Sequence, residues 1–178
     1  VGDPEVQEML QNRYSNVLLG NNRLAIMDPG PRANQPMVAP NGAAVVTFNG
    51  CLFNYVELKQ RLAVGTPFHT SGDTEVLLHA LMQGDSTTPR EFNGAWAFAF
   101  FDLAERTVFL SRDRYGERNL FYYIDDSNFI AASECSTIFA ALGNISREVC
   151  PKMALAFMSF GEATDPDDRT TTIYTQIR

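Results

Sequence analysis

Apolar residues recur along this chain with two spacings, and each predicts a different element. Leu58 and Leu62 lie four apart within residues 55–62, and Val76, Leu77, Ala80 and Leu81 repeat that helical spacing within residues 74–82. Val6, Met9 and Leu10 predict a further short helix in the first ten residues. From residue 95 the pattern changes to short apolar runs at 95–101, 107–111, 120–124 and 129–132. Polar turns at 102–105 and 125–128, and Asn93-Gly94, join these runs, which predicts an antiparallel series of strands. Upstream, residues 17–19 and 24–27 read as short strands that end at the breaker Asp28-Pro29-Gly30-Pro31. Residues 43–48 read as a strand that stops at the turn pair Asn49-Gly50. Residues 136–142 and 151–160 predict helices, the second opened by Pro151. Strands in the middle with helices to cover their apolar faces predict a mixed sandwich, not a regular strand-helix alternation.

Composition narrows the function classes. A chain of 178 residues, 45% hydrophobic and 20% charged, fits one globular domain. With 21 acidic side chains against 14 Lys and Arg it would repel a nucleic-acid backbone. The longest apolar run, 95–101, falls well short of the roughly 20 residues that cross a bilayer. Asp3, Glu5 and Glu8 stand where a secretory signal would be basic, so a cytoplasmic setting is expected. Cys51, Cys135 and Cys150, with His69 and His79, form neither a disulfide framework nor a zinc spacing, so no metal is expected. No phosphate-binding or dinucleotide-binding glycine pattern is present. The segment 161–178, with Asp165-Pro166-Asp167-Asp168-Arg169, reads as an excursion toward another structural unit.

Several blocks, in order, carry a resemblance. They are Asn21-Asn22-Arg23-Leu24-Ala25-Ile26-Met27-Asp28, Gln35-Pro36-Met37, Asn49-Gly50-Cys51-Leu52-Phe53-Asn54-Tyr55 and Thr70-Ser71-Gly72-Asp73-Thr74-Glu75. Two more follow, from Phe92 to Asp102 and from Arg112 to Tyr122, the second lacking the proline that usually precedes Leu120. Together they resemble the glutaminase half of asparagine synthetases, a class II glutamine amidotransferase family. The resemblance implies an α+β fold, an N-terminal nucleophile hydrolase-like αββα sandwich of two largely antiparallel sheets. It is expected to be N-terminally incomplete, because the terminal cysteine nucleophile and a His-Arg-Gly-Pro segment of the family are not found. Residues 1–160 would be the glutaminase-like domain, and 161–178 the passage toward a synthetase domain.

The resemblance also assigns a site. Arg23 would hold the glutamine α-carboxylate through its planar donors, and Asp73 the α-ammonium. The Asn49 side chain and Gly50 N–H would form an oxyanion hole, with Ile26 adding backbone polarity while its side chain packs in the core. Cys51 stands where the family has a glutamate that engages the substrate amine. Each residue also has a plain structural reading: a salt bridge for Arg23, a helix start for Asp73, a turn for Asn49-Gly50 and simple packing for Cys51. His69 and His79 read as packed or surface residues, and Arg112-Asp113-Arg114 as an ion-pair and hydrogen-bond network around the following turn.

On this resemblance the domain itself needs no cofactor, while ATP and magnesium belong to a separate synthetase domain or subunit that would receive ammonia. Glutamine is the expected ligand, and self-association is left open. A chain starting at Val1 is expected not to hydrolyse glutamine. The other reading is a noncatalytic structural or interaction domain of an amide- or lactam-forming synthetase.

Overall fold

The computed structural model describes residues 17–63, 65–163, 165, 167–168 and 170–178. The helix expected in the first ten residues lies outside them. Among the described residues two antiparallel sheets and four α-helices make an α+β architecture. The larger sheet runs in the order β1 (Met37–Val38), β2 (Ala44–Leu52), β3 (Gly94–Asp102) and β4 (Thr107–Arg112). The smaller is the hairpin β5 (Phe121–Ile124) and β6 (Phe129–Ala132). The helices are α1 (Tyr55–Leu62), α2 (Asp73–Gln83), α3 (Cys135–Leu142) and α4 (Pro151–Phe160). No helix among the described residues is long and apolar enough to cross a membrane.

β2 and β3 form the spine, paired without interruption from Ala44 opposite Asp102 to Leu52 opposite Gly94. Period-two alternation puts Val46, Phe48 and Leu52 on one face, where they are buried against Val76, Leu77 and Leu78 of α2 and Leu58 of α1. Full burial of each such side chain contributes about 1.5–3 kcal/mol. A second, smaller cluster gathers Ile138 and Phe139 of α3, Ile177 near the chain end, and the inner face of β5–β6. Tyr122 and Arg178 exchange backbone hydrogen bonds at 2.7 and 2.9 Å, so residues 173–178 pack onto this hairpin.

Three local expectations fail. Residues 17–19 and 24–27 form no strand but a loop whose side chains, among them Leu24 at 82% and Ile26 at 75%, are largely exposed. Ile26 therefore does not pack in the core. Short apolar runs carry too little pattern to separate a strand from a loop held by side-chain hydrogen bonds. Asn49-Gly50 does not end β2 either: the strand runs through both residues to Leu52.

Candidate functional site

β1 covers the edge of β2 only as far as Val46, and what replaces it further along builds the site. The Phe48 N–H donates to Gln35 Oε1 at 2.6 Å, and the Phe48 carbonyl accepts from Asn21 Nδ2 at 3.4 Å. The Leu52 N–H donates to Asp73 Oδ2 at 2.9 Å. Donor direction alternates along an antiparallel strand, so the Gly50 N–H turns toward the same edge, between these two capped donors. Only glycine fits there. A Cβ on Gly50, whose φ is 156°, would lie 2.2 Å from the Ala95 carbonyl oxygen, and one on Gly94 would lie 2.1 Å from that of Cys51. β2 and β3 approach too closely at this point for any side chain. Asn49 and Cys51 alternate onto the opposite face, where Asn49 is exposed.

Asp73 opens α2, after Gly72 in the cap position, and is 6% exposed. Its carboxyl is pushed up by burial, against the lowering effect of the Leu52, Asp73 and Thr74 N–H groups and the Cys51 thiol. Cys51 is pushed up as well, by burial and then by the Asp73 charge, with Arg118 opposing. The thiol therefore stays protonated, and its sulfur lies 3.8 Å from Met27 Sδ. Arg118 alone favours a thiolate there, and burial with the Asp73 charge outweighs it. The loop ahead of α2 is fixed by Glu75, whose carboxylate accepts the N–H groups of His69 and Thr70 and the Thr70 hydroxyl.

Arg23 is half-buried and makes no salt bridge among the described residues: its guanidinium donates to the Asp28 carbonyl and, at 3.4 Å, to Asn34 Oδ1. Its remaining donors have no partner among the described residues. Asp28 accepts the Gly30 N–H at 2.9 Å through Oδ1, and the Ser71 N–H and hydroxyl at 2.8 and 3.1 Å through Oδ2. The Ser71 and Gly30 N–H groups hold its carboxyl below the usual range. A chain of contacts thus joins Arg23, Asp28, the start of α2, Asp73, Leu52 and Cys51. Ile26 stays outside that chain. Asp28, Gln35 and Asn21 carry no role in the sequence reading, although an Asp two residues before glycine, bonding the glycine N–H, is a recognisable turn signature.

The other candidates have structural roles. The Asp113 carboxylate accepts N–H groups of Trp96, Tyr115, Glu117 and Arg118. Arg112 donates to the Gly116 and Arg118 carbonyls, and Arg114 to those of Arg90 and Phe92. The expected ion pairs are replaced by side-chain-to-backbone bonds that wrap the turn. His69 is exposed, while His79 is buried edge-on against Phe68, its Nε2 without a partner among the described residues and its pKa lowered by burial. No cluster of metal-ligating side chains occurs among the described residues. A cleft of about 690 Å³ lies elsewhere, lined by residues that include Arg112, Phe121, Phe157 and Arg178.

Comparison with known proteins places this geometry. The glutamine amidotransferase domain family matches residues 4–178. The chain is 35% identical over 136 residues to the putative glutamine-hydrolyzing asparagine synthetase 2 of Methanocaldococcus jannaschii, covering 68% of this chain and 26% of that protein. It is 33% identical over 162 residues to asparagine synthetase 2 of Bacillus subtilis, covering 88% and 21%. It is also 29% identical over 125 residues to the amidase chry2 of Gibberella zeae, covering 70% and 19%. The chain spans about a quarter or less of the length of these curated relatives. Among solved structures, glutamine phosphoribosylpyrophosphate amidotransferase from B. subtilis superimposes with a TM-score of 0.54 at 29% identity, covering 69% of this chain and 29% of that one. The two antiparallel sheets flanked by helices accord with the αββα sandwich of N-terminal nucleophile hydrolases. The chain belongs to the glutamine amidotransferase domain family and is related to the class II glutaminase domains of asparagine synthetases.

Proposed function

We propose that this domain binds glutamine at the β2 edge and serves an ATP-dependent amide-forming synthetase as its glutaminase-type half. The contact chain from Arg23 through Asp28 to Ser71–Asp73 carries this reading: it links a guanidinium to the helix start whose buried carboxylate caps the β2 edge. A fixed cation and a fixed anion recognise the two charges of an α-amino acid. The Gly50 N–H on that edge, with the Asn49 amide, would stabilise oxygen charge when the side-chain amide is attacked. Attack requires an N-terminal cysteine whose own α-amine handles the proton. Cys51 does not replace it, being a protonated thiol inside a strand.

The second reading, a noncatalytic domain of an amide- or lactam-forming synthetase, draws on Cys51 itself. A protonated thiol stands where the resemblance implies a carboxylate, so the amine-binding corner carries one negative charge fewer. Titration calorimetry tests the binding step common to the first reading. Glutamine affinity should fall about tenfold or more in both Arg23→Gln and Asp73→Asn, without unfolding. Unchanged affinity in both variants would remove the proposed orientation. Ammonia release from glutamine separates the readings, and any turnover that vanishes in Cys51→Ser would show that Cys51 is the nucleophile after all.

A further inference from the structure

Resting on the reading of Arg23 and Asp73 as the two halves of an α-amino-acid site, we propose that Asp28 is the positioning residue that fixes the spacing between them. Glutamine carries its α-carboxylate and α-ammonium on one carbon, so the groups that hold them must keep a constant separation. Arg23 sits on a loop with no regular secondary structure, and Asp73 sits at a helix start about fifty residues along the chain. Asp28 links the two directly. Its main-chain carbonyl accepts the Arg23 guanidinium, and its carboxylate accepts both the N–H and the hydroxyl of Ser71, two residues before Asp73.

The link is also held at its other end. Gly72 lies beside Asp28, with room between them for no more than a methyl group: a Cβ added to Gly72 would come within 3.5 Å of Asp28 Cβ. The second carboxylate oxygen is held by the Gly30 N–H, which prevents the side chain from swinging away from Ser71. Competing links are weaker: Gln35 reaches Thr74 only at 3.4 Å, and Cys51 meets Met27 through a sulfur–sulfur contact. Two charge-assisted hydrogen bonds to one residue make a stronger tether than either. Asp28 touches no substrate in this account and acts through the two residues that do.

The test titrates L-glutamine and 4-carbamoylbutanoate, which is glutamine without its α-amine, into the wild-type chain, Asp28→Ala and Asp28→Asn. Amide exchange at Ser71 is followed in parallel. In Asp28→Ala the Ser71 amide exchanges faster, glutamine affinity falls about tenfold, and affinity for the analogue, which engages Arg23 but not Asp73, stays within about twofold. Asp28→Asn keeps an acceptor oxygen for Ser71 and recovers part of the loss. The proposal is overturned if Asp28→Ala binds glutamine as the wild type does, or if both ligands weaken equally, the mark of general structural damage. A wild-type chain that binds neither ligand would instead remove the Arg23–Asp73 site, and this proposal with it.

Discussion

The four-stranded sheet with α1 and α2 buries its side chains among themselves, whereas the β5–β6 hairpin with α3, α4 and the chain end leaves much of its apolar surface uncovered. In the first region Val46, Leu52, Val76 and Leu77 are wholly buried, and the glycines between β2 and β3 admit no added atom. In the second the buried apolar side chains among the described residues are Ile138, Phe139 and Ile177 of the cluster and Met153 of α4. On neighbouring α4, Leu155, Phe157, Met158 and Phe160 are 53–84% exposed. The candidate site belongs to the first region and inherits its rigidity. A strand edge that cannot shift is a suitable place to aim backbone donors, because a preorganised donor needs no rearrangement when charge appears.

The sharpest contrast is between glycines. Gly50→Ala forces a Cβ into the Ala95 carbonyl and should cost about 3 kcal/mol or more, while Gly143→Ala, at φ 66° in open space, should cost only about 1 kcal/mol. Denaturant unfolding compares the two, and equal costs would remove the claim that β2 and β3 are locked together at the site. Core truncation comes next. Leu77→Ala should lower global stability by about 2–5 kcal/mol. Ile177→Ala should act more locally, releasing the Tyr122–Arg178 and Cys150–Ile173 backbone bonds to faster amide exchange before it affects β2 or β3. Uniform exchange throughout the Ile177→Ala variant would show that the two regions unfold as one.

The smallest expected effect concerns Asp73. Its folded pKa is raised, chiefly by burial, so its contribution is full below the unfolded value and is lost as pH rises through the folded one. Neighbouring Asp28 and Glu75 are lowered and act in the opposite sense, so the wild-type profile alone does not isolate Asp73. The difference between wild type and Asp73→Asn does: without ligand, the variant should gain on the wild type as pH rises out of the carboxylate range. A difference that is flat with pH would mean that burial does not disfavour the Asp73 charge.

The long periodic segments were the legible part of this fold. The 55–62 and 151–160 helices match α1 and α4 in both limits, and the apolar runs after residue 95 lie within about a residue of β3 to β6. The 17–30 loop was not legible, because its conformation is set by single side chains such as Asn21 and Asp28 reaching elements far along the chain. Asn49-Gly50 misleads for a related reason. The dipeptide that favours a turn is here a strand position where a neighbouring backbone approaches closely, a use of glycine that only the pairing with Ala95 and Trp96 reveals. Arg23, Asp73, Asn49 and Gly50 were singled out by resemblance, but nothing local in the sequence marks Asp28 as the contact between Arg23 and the start of α2.

Glutamine binding at the β2 edge is tested most directly by following backbone amides of the isotope-labelled chain as glutamine is added. The Gly50, Leu52 and Ser71 amides should shift together along one saturable curve, while Gly143 and Gly161, at the ends of α3 and α4, stay in place. Shifts concentrated instead around Phe121, Thr172 and Arg178, which line the separate cleft, with Gly50 unmoved, would contradict the assignment of the site to the rigid sheet.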